Sequence, residues 1–198
     1  MDTTATWARS ELVLGGQKSG KSRRAELLAR AWLARRPTHR ALLIATAQPW
    51  DDEMRARIAR HQRDRAERVP GLATVEVPHD LASAIAHHSR AETLLVVDCL
   101  TLWLTNHLMP MEGSLEPNRP ATLDHQALIA SLLIAIQQAP GPVVLVGNEI
   151  GLGVIPLGRE VRAFVDALGA LNQQVAAVCE RVTLMAAGLP LNLKPFSP

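Results

Sequence analysis

Short apolar runs alternate along the chain with longer stretches whose hydrophobic positions recur at helical spacing. The runs "ELVLG" (11–15), "RALLIATA" (40–47), "ATVEV" (73–77), "TLLVVDC" (93–99), "PVVLVG" (142–147) and "RVTLMAAG" (181–188) have strand length. Several are continuously apolar, the pattern of parallel strands buried on both faces. "LNLK" (191–194) reads as a short edge piece beyond the last of them. Helical periodicity covers about 20–36, 51–68, 79–89, 99–108, 122–138 and 158–179. Pro37 stops the first helix, and Asp51, Asp52 and Glu53 open the second, where carboxylates meet the positive end of the helix dipole. Strands alternating with helices predict an α/β fold with a mainly parallel sheet covered on both faces. The stretch "PMEGSLEPNRPA" (110–121) is the one long loop, an excursion or an oligomer contact and not a domain boundary. With no internal repeat, the 198 residues are expected to form a single domain.

Composition narrows the classes without choosing among them. Aromatic residues make up 3% of the chain, so the core must be aliphatic. A net charge of +2 is too small to argue for nucleic acid unless the charge is clustered. Cys99 and Cys179 stand far apart in apolar runs and read as buried free thiols of a cytoplasmic protein. The stretch "MDTTATWARSE" lacks the apolar segment of a signal peptide. No run approaches the roughly 20 apolar residues of a membrane span.

The first chemistry-bearing motif is Gly15-Gly16-Gln17-Lys18-Ser19-Gly20-Lys21-Ser22, which fits G-x-x-x-x-G-K-[ST] between a predicted strand and a predicted helix. Glycines let backbone N–H groups turn inward around phosphate oxygens, and the helix N-terminus adds its dipole. Lys21 is expected to reach the β- and γ-phosphates and Ser22 to ligate Mg²⁺, as in P-loop NTPases. Such a site also wants an acid on the magnesium side. Asp98, closing "TLLVVD", stands at a strand end that suits the role, and Glu149, after "VVLVGN", is its rival. Either could instead cap the segment that follows.

The predicted helix from Asp51 carries Arg55, Arg57, Arg60, Arg63, Arg65 and Arg68, with His61 among them. At about 100° per residue, Met54, Ile58, His61 and Arg65 share one stripe. His61 therefore shares the helix's apolar face. One reading is a half-buried histidine with a satisfied hydrogen bond. The other is a histidine aimed into a cleft and flanked by phosphate-gripping arginines. Imidazole is a capable nucleophile toward phosphorus. Residue pattern leaves both readings open. The remaining histidines adjoin loops, or lie on or beside a helix expected to face solvent, as His79, His87 and His88 do.

Four stretches together resemble one family: "LVLGGQKSGKSRRAE", "IATAQPWDDEMRARIARHQRDR", "VVDCLTLWLTN" and "LVGNEIGLGVIPLGREVRAFVDALGALNQQVA". They are similar to the bifunctional adenosylcobinamide kinase/adenosylcobinamide-phosphate guanylyltransferases of cobalamin biosynthesis, in order from Leu12 to about Lys194. The departures are Gln17-Lys18, where Ala-Arg is usual, and the variable loop at 110–121. The resemblance implies a RecA-like fold without a lid, and enzymes that can form homo-oligomers, trimers among them. It implies phosphorylation of adenosylcobinamide by ATP or GTP, followed by GMP transfer from GTP through a GMP–histidine intermediate. On that comparison the histidine is His61. Nucleotide contacts are implied at Ala45, Thr46 and Ala47, at Gln62, Arg63, Asp64 and Arg65, and at Glu76 and Asp98. The stretch from Asn148 to Pro156 is the expected part of the corrinoid pocket wall.

Two rivals bound this reading. A small-molecule kinase with no nucleotidyl transfer would share the loop but leave the histidine-bearing helix without a task. A nucleotide-dependent switch or DNA-binding assembly protein is less well matched. No Asn begins the N-K-x-D segment that reads guanine in switch GTPases, and the arginines are interleaved with Asp51, Asp52, Glu53, Asp64 and Glu67. Partners are therefore expected to be GTP or ATP and a corrinoid, without nucleic acid or a membrane span.

Overall fold

Continuous apolar runs form a sheet only if both of its faces are covered, and each run here but the last edge piece supplies side chains to two cores. In the computed structural model, which describes residues 7–49, 51–109 and 125–195 but not the Arg57 side chain, these runs form seven strands. They are β1 (Ser10–Gly15), β2 (Arg40–Ala45), β3 (Leu72–Glu76), β4 (Thr93–Asp98), β5 (Val143–Asn148), β6 (Arg181–Ala186) and β7 (Leu189–Lys194). Their spatial order is β3-β2-β4-β5-β1-β6-β7, parallel except for β7, which pairs antiparallel with β6.

Six described helices connect the strands: α1 (Lys21–Arg35), α2 (Asp52–Arg68), α3 (Leu81–His88), α4 (Leu100–Leu108), α5 (His125–Gln138) and α6 (Arg159–Val178). Alternate residues of one strand divide between the faces. Val143 and Leu145 join Leu12, Leu14, Leu95 and Val97 in a core closed by Ile85, Leu104, Ile136 and Leu171. Val144 and Val146 point the other way with Val13, Leu43, Leu94 and Val96, under Ala25, Ala29 and Trp32 of α1 and Val69 beyond α2. This is the doubly covered sheet that the runs predict.

Several boundaries shift by a residue or two, and two shifts have evident causes. The run 40–47 leaves the sheet at Ala45, because Thr46 turns to bond the backbone at Cys99. The run 181–188 stops at Ala186, where Ala187 and Gly188 adopt positive φ and reverse the chain into β7. The strand thus starts at Leu189, two residues before "LNLK". The loop at 110–121 and the first turn of the helix predicted from 122 lie outside the described residues.

Parallel pairing sets the C-terminal ends of β1 to β6 at one edge. Gly15 lies opposite Asn148, and Ala45 lies opposite both Glu76 and Asp98. The chain winds from β1 out to β2 and β3 under one face, then returns through β4 and β5 past β1 to β6 under the other, so the crevice at this edge is where an open α/β sheet takes ligands.

Candidate nucleotide site

The phosphate loop is shaped by three residues in left-handed or related backbone geometry: Gly15 (φ 152°), Lys18 (φ 56°) and Gly20 (φ 101°). A Cβ at Gly15 would sit 2.5 Å from the Met185 carbonyl oxygen and from Ser19 Oγ, so glycine is required there. The loop is tied on both sides. Glu149 N–H donates to the Gly15 carbonyl at 3.0 Å, and Gly188 N–H donates to the Ser19 carbonyl at 3.0 Å. Lys21 opens α1 almost buried and donates from Nζ to the Gly16 carbonyl at 2.6 Å, bracing the loop from within. The Ser19 hydroxyl is buried without a hydrogen-bond partner among the described residues.

A cleft of about 320 Å³ lies at this edge of the sheet. Of the residues singled out in the sequence, it gathers Gln17, Lys21, Ser22, Ala45, Ala47, His61, Gln62, Arg65, Glu76 and Asp98 along its walls. Gly15, Gly16, Lys18, Ser19, Gly20, Thr46, Arg63 and Asp64 are not among its lining residues. Glycines shape a loop without presenting side chains, and Thr46 is wholly buried, its hydroxyl donating to Cys99 O at 2.7 Å. Asp64 turns to Arg68 at 3.1 Å, and Arg63 is exposed.

The stripe read on α2 is present: Met54, Ile58, His61 and Arg65 all line the cleft. His61 itself is exposed at the cleft wall, not half-buried with a satisfied hydrogen bond, whereas Arg65 is 9% exposed. The helix starts where Asp51 caps it, accepting from Met54 N–H at 2.6 Å. Its far end is held to α1 by Arg68, which reaches Glu26 at 3.1 Å. That hydrogen bond and the charge of the nearly buried Glu26 raise the Arg68 pKa above its usual value. The expected clamp of several arginines around His61 reduces, among the described side chains, to Arg65. Arg55 pairs with Asp52 and Arg68 with Glu26 and Asp64, so neither lines the cleft.

Asp98 and Glu149 divide their possible roles. Asp98 lines the cleft with Lys21 and Ser22, whereas Glu149 accepts from Gly151 N–H at 3.0 Å and caps its own turn. Sequence reading missed Leu43, Leu102 and Val146 as lining groups; it placed Met54 and Ile58 only on the stripe of His61, and Asn148 and Ile150 only in the expected corrinoid wall. It also missed the fixing of Asn148, whose N–H donates to Thr101 Oγ1 at 2.9 Å and whose carbonyl accepts from Asn172 Nδ2 at 3.0 Å. The position at the end of β5, beside β1, was the available signal. Cys99 also lines the cleft, and burial pushes its thiol pKa up to about 11, so it is protonated at neutral pH. His79 is no solvent-facing residue: its carbonyl accepts from Trp103 at 2.7 Å, and its ring bonds Gln48 at 3.2 Å.

The model of the cobinamide kinase/cobinamide phosphate guanyltransferase family matches residues 11–193. The bifunctional adenosylcobalamin biosynthesis protein CobP of Pseudomonas aeruginosa is 45% identical over 185 residues, covering 93% of this chain and 96% of that protein. The bifunctional adenosylcobalamin biosynthesis protein CobU of Escherichia coli K12 is 37% identical, covering 92% and 98%. Among solved structures, a protein from Pyrococcus horikoshii OT3 superposes with a TM-score of 0.53 at 9% identity, over 96% of this chain and 87% of that one. The flagellar accessory protein FlaH of Methanocaldococcus jannaschii gives 0.50 at 11% identity, over 94% and 78%. At such identities these two speak for the fold alone, a RecA-like P-loop α/β architecture. With its phosphate loop, strand-end acid and histidine-bearing helix inside the matched span, the chain belongs to the cobinamide kinase/cobinamide phosphate guanylyltransferase family.

Proposed function

We propose that this protein phosphorylates the side-arm hydroxyl of adenosylcobinamide with ATP or GTP, and then transfers GMP from GTP onto the new phosphate through His61. The observation that carries the second step is that one cleft holds both Lys21 of the phosphate loop and His61 of α2. Family membership supports both activities. We further propose that the chain works as one domain, as a cytoplasmic homo-oligomer.

In the kinase step the loop backbone and Lys21 hold the phosphates, and the acceptor hydroxyl takes the γ-phosphoryl group while the nucleoside diphosphate leaves. In the transfer step, the imidazole of His61 attacks the α-phosphorus of GTP. A P–N bond forms, the bond to the β-phosphate oxygen breaks, and pyrophosphate departs with its charge held by Lys21. An oxygen of the corrinoid phosphate then attacks the histidine-bound GMP. The P–N bond breaks, which yields adenosylcobinamide-GDP and frees His61. Arg65, nearly buried in the same wall, offers a fixed positive charge to the phosphates.

Ser22 and Asp98 offer a hydroxyl and a carboxylate to one cleft, a hard-oxygen set that suits magnesium. Among the described residues no three His, Cys, Asp or Glu side chains converge on a metal position, so the phosphates and water would supply the other ligands. Bound there, Mg²⁺ would neutralise phosphate charge.

The test is incubation with α-³²P-GTP. The protein is expected to acquire an acid-labile, alkali-stable label at His61. His61→Ala should lose the label and keep at least part of the kinase turnover. Lys21→Ala should lose on the order of 100-fold or more in both reactions, the scale of losing one transition-state donor. A His61→Ala protein that still takes the label would overturn the assignment.

A further inference from the structure

A second concavity, of about 440 Å³, adjoins the nucleotide cleft, and Ile150 lines both. One wall is the loop after β5, with Val154, Ile155 and Pro156. The other is a single stripe of α6 at helical spacing: Arg162, Val165, Asp166, Gly169, Ala170 and Gln173. The opposite stripe of that helix, Leu168, Leu171, Asn172 and Val175, is buried in the core, so this one is left facing the loop. Arg162 donates to the Pro156 and Leu157 carbonyls and holds the loop across the gap.

Two features of this concavity have no explanation inside the chain. Val154 and Ile155 in its wall are 96% and 77% exposed, and Leu152 and Leu157 of the same loop, outside the lining, are 81% and 97% exposed, a concentration of apolar surface that marks a binding site. Gly169 lies in the middle of α6, where glycine is less favourable than alanine, yet a Cβ built there meets nothing within 4 Å. Its absence leaves the helix wall flat and the gap open. Asp166 and Gln173 add a carboxylate and a carboxamide on the same wall. The matching ligand is broad and mostly apolar, with hydrogen-bonding groups at its rim and a reactive arm that reaches the neighbouring cleft. An amide-fringed corrin ring with a hydroxyl-bearing arm has that chemistry.

We infer that this concavity is the acceptor site: one edge of the corrin ring lies between the 150–157 loop and the Gly169 face of α6, and its arm passes Ile150 to the phosphate loop. The inference rests on the proposed function, which names the acceptor, and adds where the acceptor binds. It moves half of the expected pocket wall from the loop to α6.

The test uses the full chain with Gly169→Leu and, separately, Ala170→Trp. Ala170 is exposed, so its variant remains informative if the leucine variant does not fold. Adenosylcobinamide binding is followed by corrin absorbance, GTP binding by equilibrium dialysis, and assembled mass by light scattering. Both folded variants should bind the corrinoid at least tenfold more weakly, with GTP affinity within twofold of the parent. Unchanged corrinoid affinity overturns the inference. So does a loss of assembled mass with corrinoid affinity retained, which would make this face a contact between copies of the chain. A parent protein that binds GTP but not adenosylcobinamide would instead sink the proposed function.

Discussion

Thr46 illustrates how a short segment can be read for its place and misread for its work. The resemblance marks Ala45, Thr46 and Ala47 together as nucleotide contacts. Folded, Ala45 and Ala47 line the cleft while Thr46 is fully buried between them. Its hydroxyl donates to the Cys99 carbonyl at 2.7 Å and accepts from the Cys99 N–H at 2.9 Å, locking the end of β2 to the turn after Asp98. Thr46→Val keeps the shape but strands two buried backbone groups. It should cost about 1–3 kcal/mol in urea unfolding, whereas Thr46→Ser should retain most of the stability. A neutral valine variant would contradict this account. His61 offers a related lesson. Its stripe was legible because helical spacing is local, but its exposure depends on what α2 leans against.

Elements were legible where their signals were local. The core strands announce themselves by apolar runs, and α2 by its acidic first turn. The antiparallel β7 was less so, because a reversal needs only the positive φ of Ala187 and Gly188. The turn into β5 carries a constraint that no motif reveals. A Cβ at Gly141 would lie 1.9 Å from the Arg90 carbonyl oxygen and 2.5 Å from that of Thr93, so this backbone packs directly on the entry to β4. Gly141→Ala should therefore destabilise the protein by about 2 kcal/mol, within the range of forced overpacking. Gly153→Ala, where a Cβ meets nothing within 4 Å, should stay within about 0.5 kcal/mol. Equal midpoints for the two variants in urea would refute the distinction.

At the scale of the molecule, the two thiols report on the two cores. Burial pushes Cys99 up to about 11 and Cys179 to about 12, from an ordinary value of 9.0. A thiol is neutral when protonated, so the folded state holds these protons more tightly than the unfolded chain. Their contribution is complete below pH 9 and is lost as pH rises through 11 and 12. The urea midpoint should fall between pH 8 and pH 11, and a Cys99→Ala/Cys179→Ala variant should show a shallower fall. Both thiols should resist alkylation at neutral pH until the protein is unfolded. Rapid modification of the native protein would count against this picture.

By itself the sequence determined the layering of the fold, the phosphate loop and the family resemblance. Each rests on short-range physics: strand and helix periods, glycine's access to positive φ, and residues within one loop or one helix turn. The tertiary structure decided which of several equivalent groups reaches the cleft. It turned Arg68 to Glu26 and left Arg65 in the cleft, put Asp98 on the cleft wall while folding Glu149 onto Gly151, and set a bare stripe of α6 against the 150–157 loop. The placements of Arg68 and Arg65 depend on partners tens of residues away, Glu26 for the first and Lys21 and Asp98 for the second, brought together only when parallel pairing aligns the strand ends at one edge.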